Sequence, residues 1–260
     1  MLISIGSTLV FAAAVVVTLS LTPGWPRVRD TFFNLGTAAD AWPRVATGFL
    51  LNLRVLGYSV VTVSVFGLLL ALMRTVRGAV LFPIRAIATA YTDLFRGTPL
   101  IVVLYLVGFG IPGLQGRHGV IIPVEVLGTI AITLTYSAYV AEVLRAGIES
   151  VHPSQRLAAR SLGLSHGQSM RVIVIPQAIR KVTPALMNDF VSMQKDVGLI
   201  SILGAVDAVR GAQIEVAHSA TFAPYVLAGL LFVVLAIPTI RLTDWYSARL
   251  RRREQMGAIV

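Results

Sequence analysis

The sequence predicts an all-α integral membrane protein with about six transmembrane helices, and three observations carry that expectation. Hydrophobic residues make up 56% of the 260 and charged residues 13%, with a mean hydropathy of +0.79. That is about half the charge of an ordinary soluble domain, and apolar surface on this scale belongs in a bilayer. The net charge of +10 is gathered into three groups. Arg74, Arg77, Arg85 and Arg96 form the first; Arg145, Arg156, Arg160, Arg171, Arg180 and Lys181 the second; Arg241, Arg249, Arg251, Arg252 and Arg253 the third. Apolar stretches separate the groups, as they do when all three lie on the cytoplasmic side, so membrane topology rather than nucleic acid accounts for the charge. The last group also suits an anchor on anionic lipid heads. The absence of cysteine removes disulfides, thiolate metal sites and cysteine nucleophiles together.

Each element follows from the need for about 20 mostly apolar residues per crossing. The first candidate runs from Met1 towards Leu21. It reads as a retained span; a cleaved signal peptide is the alternative, which the missing basic n-region opposes. The second fills the interval between Arg54 and Arg74. The third begins near Ala86, follows Arg96 and ends near Pro112. The fourth covers Val120 to Ala141, with Glu125 near its outer end. The sixth is densest from Tyr225 to Ile240. Parity requires a fifth, since the second and third basic groups otherwise fall on opposite sides. Val182 to about Ile202 supplies it, although it contains Asp189, Lys195 and Asp196. Charges inside a span are costly and face a protein interior or a water-filled path. The N-terminus and C-terminus are then cytoplasmic. Thr22 to Thr47, Pro112 to Gly119 and Gly204 to Ala223 are outside. Arg27, Arg29 and Arg44 run against the trend there. Glycines and prolines such as Gly57, Gly67, Pro184 and Pro238 suit close helix packing.

The stretch Glu142 to Pro176 is polar and too long for an ordinary hairpin between spans. Pro153 breaks the helix leaving the fourth span. Ser154 is a candidate N-cap for a short helix over Gln155 to Leu162, and Gly163 suits its stop. Ser165 can cap a second short helix running towards Ile175, before Pro176. Arg156 and Arg160, four apart, share a face, and Ala158, Ala159 and Leu162 offer a small apolar surface. A docking site for another protein and an amphipathic helix lying on lipid both fit this pattern.

Several motifs, in order, resemble the permease subunits of ATP-binding-cassette importers. In that family the loop is named for Glu-Ala-Ala, with a Gly three residues on and a later Ile-x-Leu-Pro. Here it reads Leu157-Ala158-Ala159, Gly163 and Ile173-Val174-Ile175-Pro176. LFRGTPLIVVLYL (Leu94 to Leu106), YVAEVLRAGIESV (Tyr139 to Val151), PQAIRKVTPALMNDF (Pro176 to Phe190) and QKDVGLISIL (Gln194 to Leu203) are similar to its polar amino-acid branch. Leu157 departs from the name-giving glutamate, Ile175 from the closing Leu, and Val197-Gly198 from the usual Thr-Ser. The resemblance implies a five-helix type I importer core plus one N-terminal helix. The divisions are 1–46 for the N-terminal helix and external segment, 47–246 for the transmembrane domain, and 247–260 for a basic cytoplasmic tail. It implies that Gln155 to Gln168 is the coupling element seated in an ATPase groove, with Gln155, Arg156, Ala158, Ala159, Arg160, Gly163 and Leu164 in contact. It further implies ABC ATPase subunits, a second permease subunit (identical or homologous), an extracytoplasmic solute-binding protein, and a prokaryotic cell membrane. The function implied is import of polar amino acids or related small solutes by alternating access.

The chain lacks the phosphate-binding pattern G-x-x-x-x-G-K-[ST]: neither Lys181 nor Lys195 follows a glycine. ATP and Mg are therefore expected on the partner ATPase, with no cofactor and no catalysis in this chain. His118, His152, His166 and His218 are too scattered to form a metal cluster. Asn188, Ser192 and Gln194 suit weak contacts with a passing solute. Lys195 and Asp196 read as gate residues or as a mutually neutralising pair, and Glu142 as an ion-pair partner of Arg96 or Arg145. Arg96-Gly97-Thr98-Pro99 reads either as a simple kink or as a hinge at Gly97 and Pro99. An ion-coupled carrier or passive channel is the rival function; it leaves the arginine loop without a task.

Overall fold

The computed structural model describes the backbone of residues 2–76, 78–115 and 120–257. Arg77, the outer segment 116–119 with His118, and the side chains of Arg251, Arg252 and Arg253 lie outside the described residues. All regular structure among the described residues is helical. The helices are α1 (Leu2–Ser20), α2 (Trp25–Phe32), α3 (Leu35–Thr75), α4 (Phe82–Gly97), α5 (Leu100–Gln115), α6 (Val124–Glu149), α7 (Pro153–Ser161) and α8 (His166–Ser169). A π-turn over Met170–Val174 leads into α9 (Ile175–Asp196). A 3-10 turn over Val197–Leu203, α10 (Ala208–Ser219) and α11 (Ala223–Gly257) complete the chain.

Three stretches, built on α3, α6 and α11, are long and apolar enough to cross a membrane alone; two further crossings arise if each bent helix pair counts as one. These five make the core, and α1 is a shorter apolar helix that packs against α2. The element between α1 and α3 is not an open loop. Helix α2 is fastened to the start of α11, where the Phe222 N–H donates to the Thr31 carbonyl at 2.7 Å and Phe32 stacks on Phe222 at 5.3 Å. Helix α3 has 41 residues, roughly 60 Å at about 1.5 Å per residue, so it projects well past the apolar interval between Arg54 and Arg74. The expected division at residue 46 falls inside it.

The expected third span is not one helix. α4 and α5 meet at 107°. Thr98 between them is extended (φ −103°, ψ 128°), the conformation that a following proline imposes. The break frees carbonyls at the end of α4, and the Thr98 hydroxyl donates to one of them, Leu94 O, at 2.8 Å.

The main core lies where α3, α5, α6 and the 3-10 turn converge on fully buried Val55, Leu104, Ile132 and Ile200. A second cluster of small residues, Ala41, Val45, Ala208, Ala212 and Ala228, joins α3, α10 and α11. The approach there is close because Gly48 faces the Asp207 carbonyl, with which any Cβ would collide. One polar knot holds the same junction. Asn52, buried in mid-α3, donates to Val197 O and to the Asp207 carboxylate, both at 3.0 Å. It also accepts from the Ala208 N–H at 3.1 Å. Irregular backbone is tolerated at membrane depth only when its groups find partners in the protein, and Asn52 supplies them where α9 gives way to α10.

Candidate functional site: the polar loop and the cavity at the bend

The polar loop folds as two helices, but its caps differ from expectation. α6 ends before Pro153 as read, and Pro153 itself begins α7, because a helix's first residue needs no N–H. The cap therefore shifts from Ser154 to His152, whose Nδ1 accepts from the Ser154 N–H at 3.2 Å. Gly163 ends the helix with φ +80°, and the Leu164 N–H reaches back to Ala159 O at 3.1 Å. Ser165 caps α8 as read: its hydroxyl accepts from the Gln168 N–H, and the Gln168 side chain accepts from the Ser165 N–H. The second helix does not stop before Pro176. A π-turn absorbs the strain and Pro176 becomes the start of α9, so the loop runs without a break into the fifth crossing.

The two alanines of the loop point in opposite directions. Ala159 is 1% exposed, while Ala158 and Gln155 are exposed. Leu157, in the place of the name-giving glutamate, is 62% exposed. Arg160 and Gly163 are exposed and Leu164 half-buried. Arg156 spends one donor within the chain: its Nη2 donates to Ile148 O at 2.6 Å, pinning α7 to the end of α6. Lys181 does the same from α9, donating to Ser150 O at 2.9 Å. Val151, Val174 and Ala178 form a small core beneath the loop.

Glu142 sits at the centre of an arginine cluster. It pairs with Arg145 at 2.6 Å and with Arg96 at 3.7 Å, the two partners expected, and also with Arg74 at 2.5 Å. Sequence distance hides the third partner, which the crossing of α3 over α6 brings in.

A cavity of about 300 Å³ opens at the α4–α5 bend. Asp189, Ser192 and Asp196, at i, i+3 and i+7 on α9, face it together with Tyr136 and Tyr139 of α6 and Pro99. The Tyr136 hydroxyl donates to Asp196 at 2.7 Å. An apolar cavity of about 430 Å³ on the other side shares Asp189 and Tyr136 with it. The expected pairing of Lys195 with Asp196 is absent: among the described residues no ion pair joins them, and Lys195 is exposed. Asn188 is exposed and is not part of the cavity lining. Gln194 does not belong to it. It is 3% exposed and donates to Thr239 of α11 at 3.2 Å, a tie between helices. Asp189, read from the sequence as one of the charges within the fifth span, lines the cavity instead; the i, i+3, i+7 spacing with Ser192 and Asp196 is the signal that identifies it. Gly97 has open space where a Cβ would stand, and Pro99 lines the cavity at the bend.

A bundle of bent membrane crossings around a polar cavity, with a two-helix polar loop at one end, has the architecture of a membrane transport component. A family described as "Binding-protein-dependent transport system inner membrane component" matches residues 63–252, and the chain belongs to it. It is 32% identical over 196 residues to the "Arginine transport system permease protein ArtQ" of Bacillus subtilis, covering 75% of this chain and 87% of that one. It is 37% identical over 186 residues to the "Putative glutamine transport system permease protein GlnP" of Rickettsia prowazekii, covering 70% and 83%. A solved structure described as an amino acid ABC transporter with histidines superposes with a TM-score of 0.73 at 34% identity, over 81% of this chain and 96% of that one. The MetNI methionine transporter, at 19% identity and a TM-score of 0.53, shares the fold. The chain is thus a multi-pass permease subunit, a transport component of an ATP-driven importer whose family works with an ATPase and a binding protein. The carrier and channel reading gives way to this membership.

Proposed function

We propose that this permease imports amino acids that carry a positive charge on their side chain, and that the cavity at the α4–α5 bend lies on their path. The observation that carries the reading is the pair of carboxylates, Asp189 and Asp196, facing one polar cavity on α9 with no ion-pair partner among the described residues. Unpaired acids at membrane depth are costly unless something cationic visits them. The tyrosine faces of Tyr136 and Tyr139 suit the same visitor, and an arginine permease stands among the relatives. A second permease copy would close the path. With the C-terminus cytoplasmic, α7 presents Ala158, Gln155 and Arg160 to an ATPase subunit, which binds the ATP and Mg. An extracytoplasmic binding protein delivers the solute on the opposite face.

The test is uptake of labelled arginine and labelled glutamine by the reconstituted complex. A hydrogen bond to a charged group contributes about 1.5–3 kcal/mol, so Asp189→Asn is expected to cut arginine uptake by roughly ten- to a hundredfold at low solute concentration. Arginine uptake unchanged in that variant removes the cavity from the path.

A further inference from the structure

A second cavity, of about 220 Å³, lies at the end of the bundle that carries α7, between the end of α3, the start of α4, the end of α6 and α8. It is unusually cationic. Arg74, Arg85 and Arg156 all line it, with His166 beside them. Each guanidinium is held in place from the protein side. Arg74 pairs with Glu142 at 2.5 Å, Arg85 donates to Val76 O at 3.2 Å, and Arg156 to Ile148 O at 2.6 Å. Those bonds leave donors over: the Nε–H groups of Arg74 and Arg156 are buried and have no hydrogen-bond partner. The Arg74 side chain is only 9% exposed. Those two nitrogens are sealed inside the protein, while each bond above uses one terminal nitrogen and leaves the second for an acceptor in the cavity. Glu149, also in the lining, pairs with Arg145 at 2.5 Å. Glu142 is shared among three arginines.

We propose that this cavity binds a phosphate-type oxyanion, held by Arg74, Arg85 and Arg156. Planar guanidinium forks match phosphate oxygens two at a time. The volume is below that of ordinary small-molecule pockets, about 300–1,000 Å³, and suits a single compact group. Two sources carry that chemistry. One is the headgroup of an anionic phospholipid, since Phe82, Ile84 and Ile87 expose an apolar surface at the start of α4 next to Arg85. The other is inorganic phosphate. Either one links the ends of α3 and α6, the start of α4 and α8, and so braces the seat of α7 against α3.

The full chain, purified in neutral detergent and stripped of lipid, is titrated with inorganic phosphate or with phosphatidylglycerol in mixed micelles. Thermal midpoints are read against sodium chloride at equal ionic strength. A saturable upward shift is expected with at least one probe. Saturation by phosphate identifies a free anion, and saturation by phosphatidylglycerol alone identifies a lipid. Arg85→Gln and Arg156→Gln are each expected to raise the apparent Kd about tenfold or more, while Arg210→Gln, on α10, leaves it unchanged. If Arg156→Gln fails to fold once its tie to Ile148 is lost, half-exposed Arg85 still decides the matter. No saturable shift in the wild type with either probe, or an unchanged Kd in Arg85→Gln, overturns the proposal.

Discussion

Gly163 is the residue on which the shape of the polar loop turns. Its φ of +80° lets the Leu164 N–H close on Ala159 O and turns the chain from α7 into α8. An L-residue held in that region costs roughly 1–2 kcal/mol, and proline cannot enter it, since its ring fixes φ near −65°. Nothing stands within 4 Å of a Cβ placed there, so backbone geometry alone is at stake. Gly163→Pro is therefore expected to abolish uptake while the chain still reaches the membrane, measured by transport beside immunodetection in membrane fractions. Normal uptake by that variant refutes the assignment. Gly163 and Ser165 were legible in the sequence because cap chemistry is local: a left-handed stop and a capping box are written within four residues. His152 was not, because Pro153 at the first helical position moved the cap two residues upstream onto an unusual side chain. Gln194 and Asp189 show the other limit. Both read as polar residues in a span, and only the packed faces of α9 decide that one ties helices together while the other lines a cavity.

At the scale of elements, three prolines meet three fates that depend on position. Pro43 stays inside α3, where it removes only the donor to the Ala39 carbonyl. Pro176 begins α9 after a π-turn. Pro99 breaks the third crossing at 107°, because the residue before it is held extended. Hydropathy marked the apolar stretch about this last proline as one span, since it reports apolar depth and not direction. It likewise placed α3 within its apolar interval, whereas the helix runs well beyond it. The bend shapes the polar cavity, which Pro99 lines. Pro99→Ala is expected to reduce uptake severalfold by letting α4 run on towards α5. Gly97→Ala, with open space around the new methyl and a helix-propensity gain of about 1 kcal/mol, is expected to leave uptake within about twofold. The pair is read in one transport assay; loss of uptake in Gly97→Ala with none in Pro99→Ala returns the hinge to Gly97.

At the scale of the whole molecule, coupling to an ATPase depends on what the loop shows outward and what it keeps for the permease. The lost glutamate is informative here. Leu157 is 62% exposed and leaves no gap in the loop's own packing, so the substitution changes only the surface offered to a partner. The adjacent alanines separate the two roles. Ala158 is exposed, and a large side chain there meets only what docks. Ala159 is 1% exposed, and overpacking such a site costs about 1–3 kcal/mol. Ala158→Trp is thus expected to lose co-purification of the ATPase with the permease's thermal midpoint unchanged. Ala159→Trp is expected to lower the midpoint by several degrees, whatever it does to docking. Midpoint and recovered ATPase are measured on the same preparations. If Ala158→Trp retains a full complement of ATPase, α7 is not the contact and the loop must be reassigned to the lipid surface. If instead both variants lose the ATPase but only Ala159→Trp loses stability, the outward face of α7 is the docking surface, and shape rather than the missing carboxylate holds the partner.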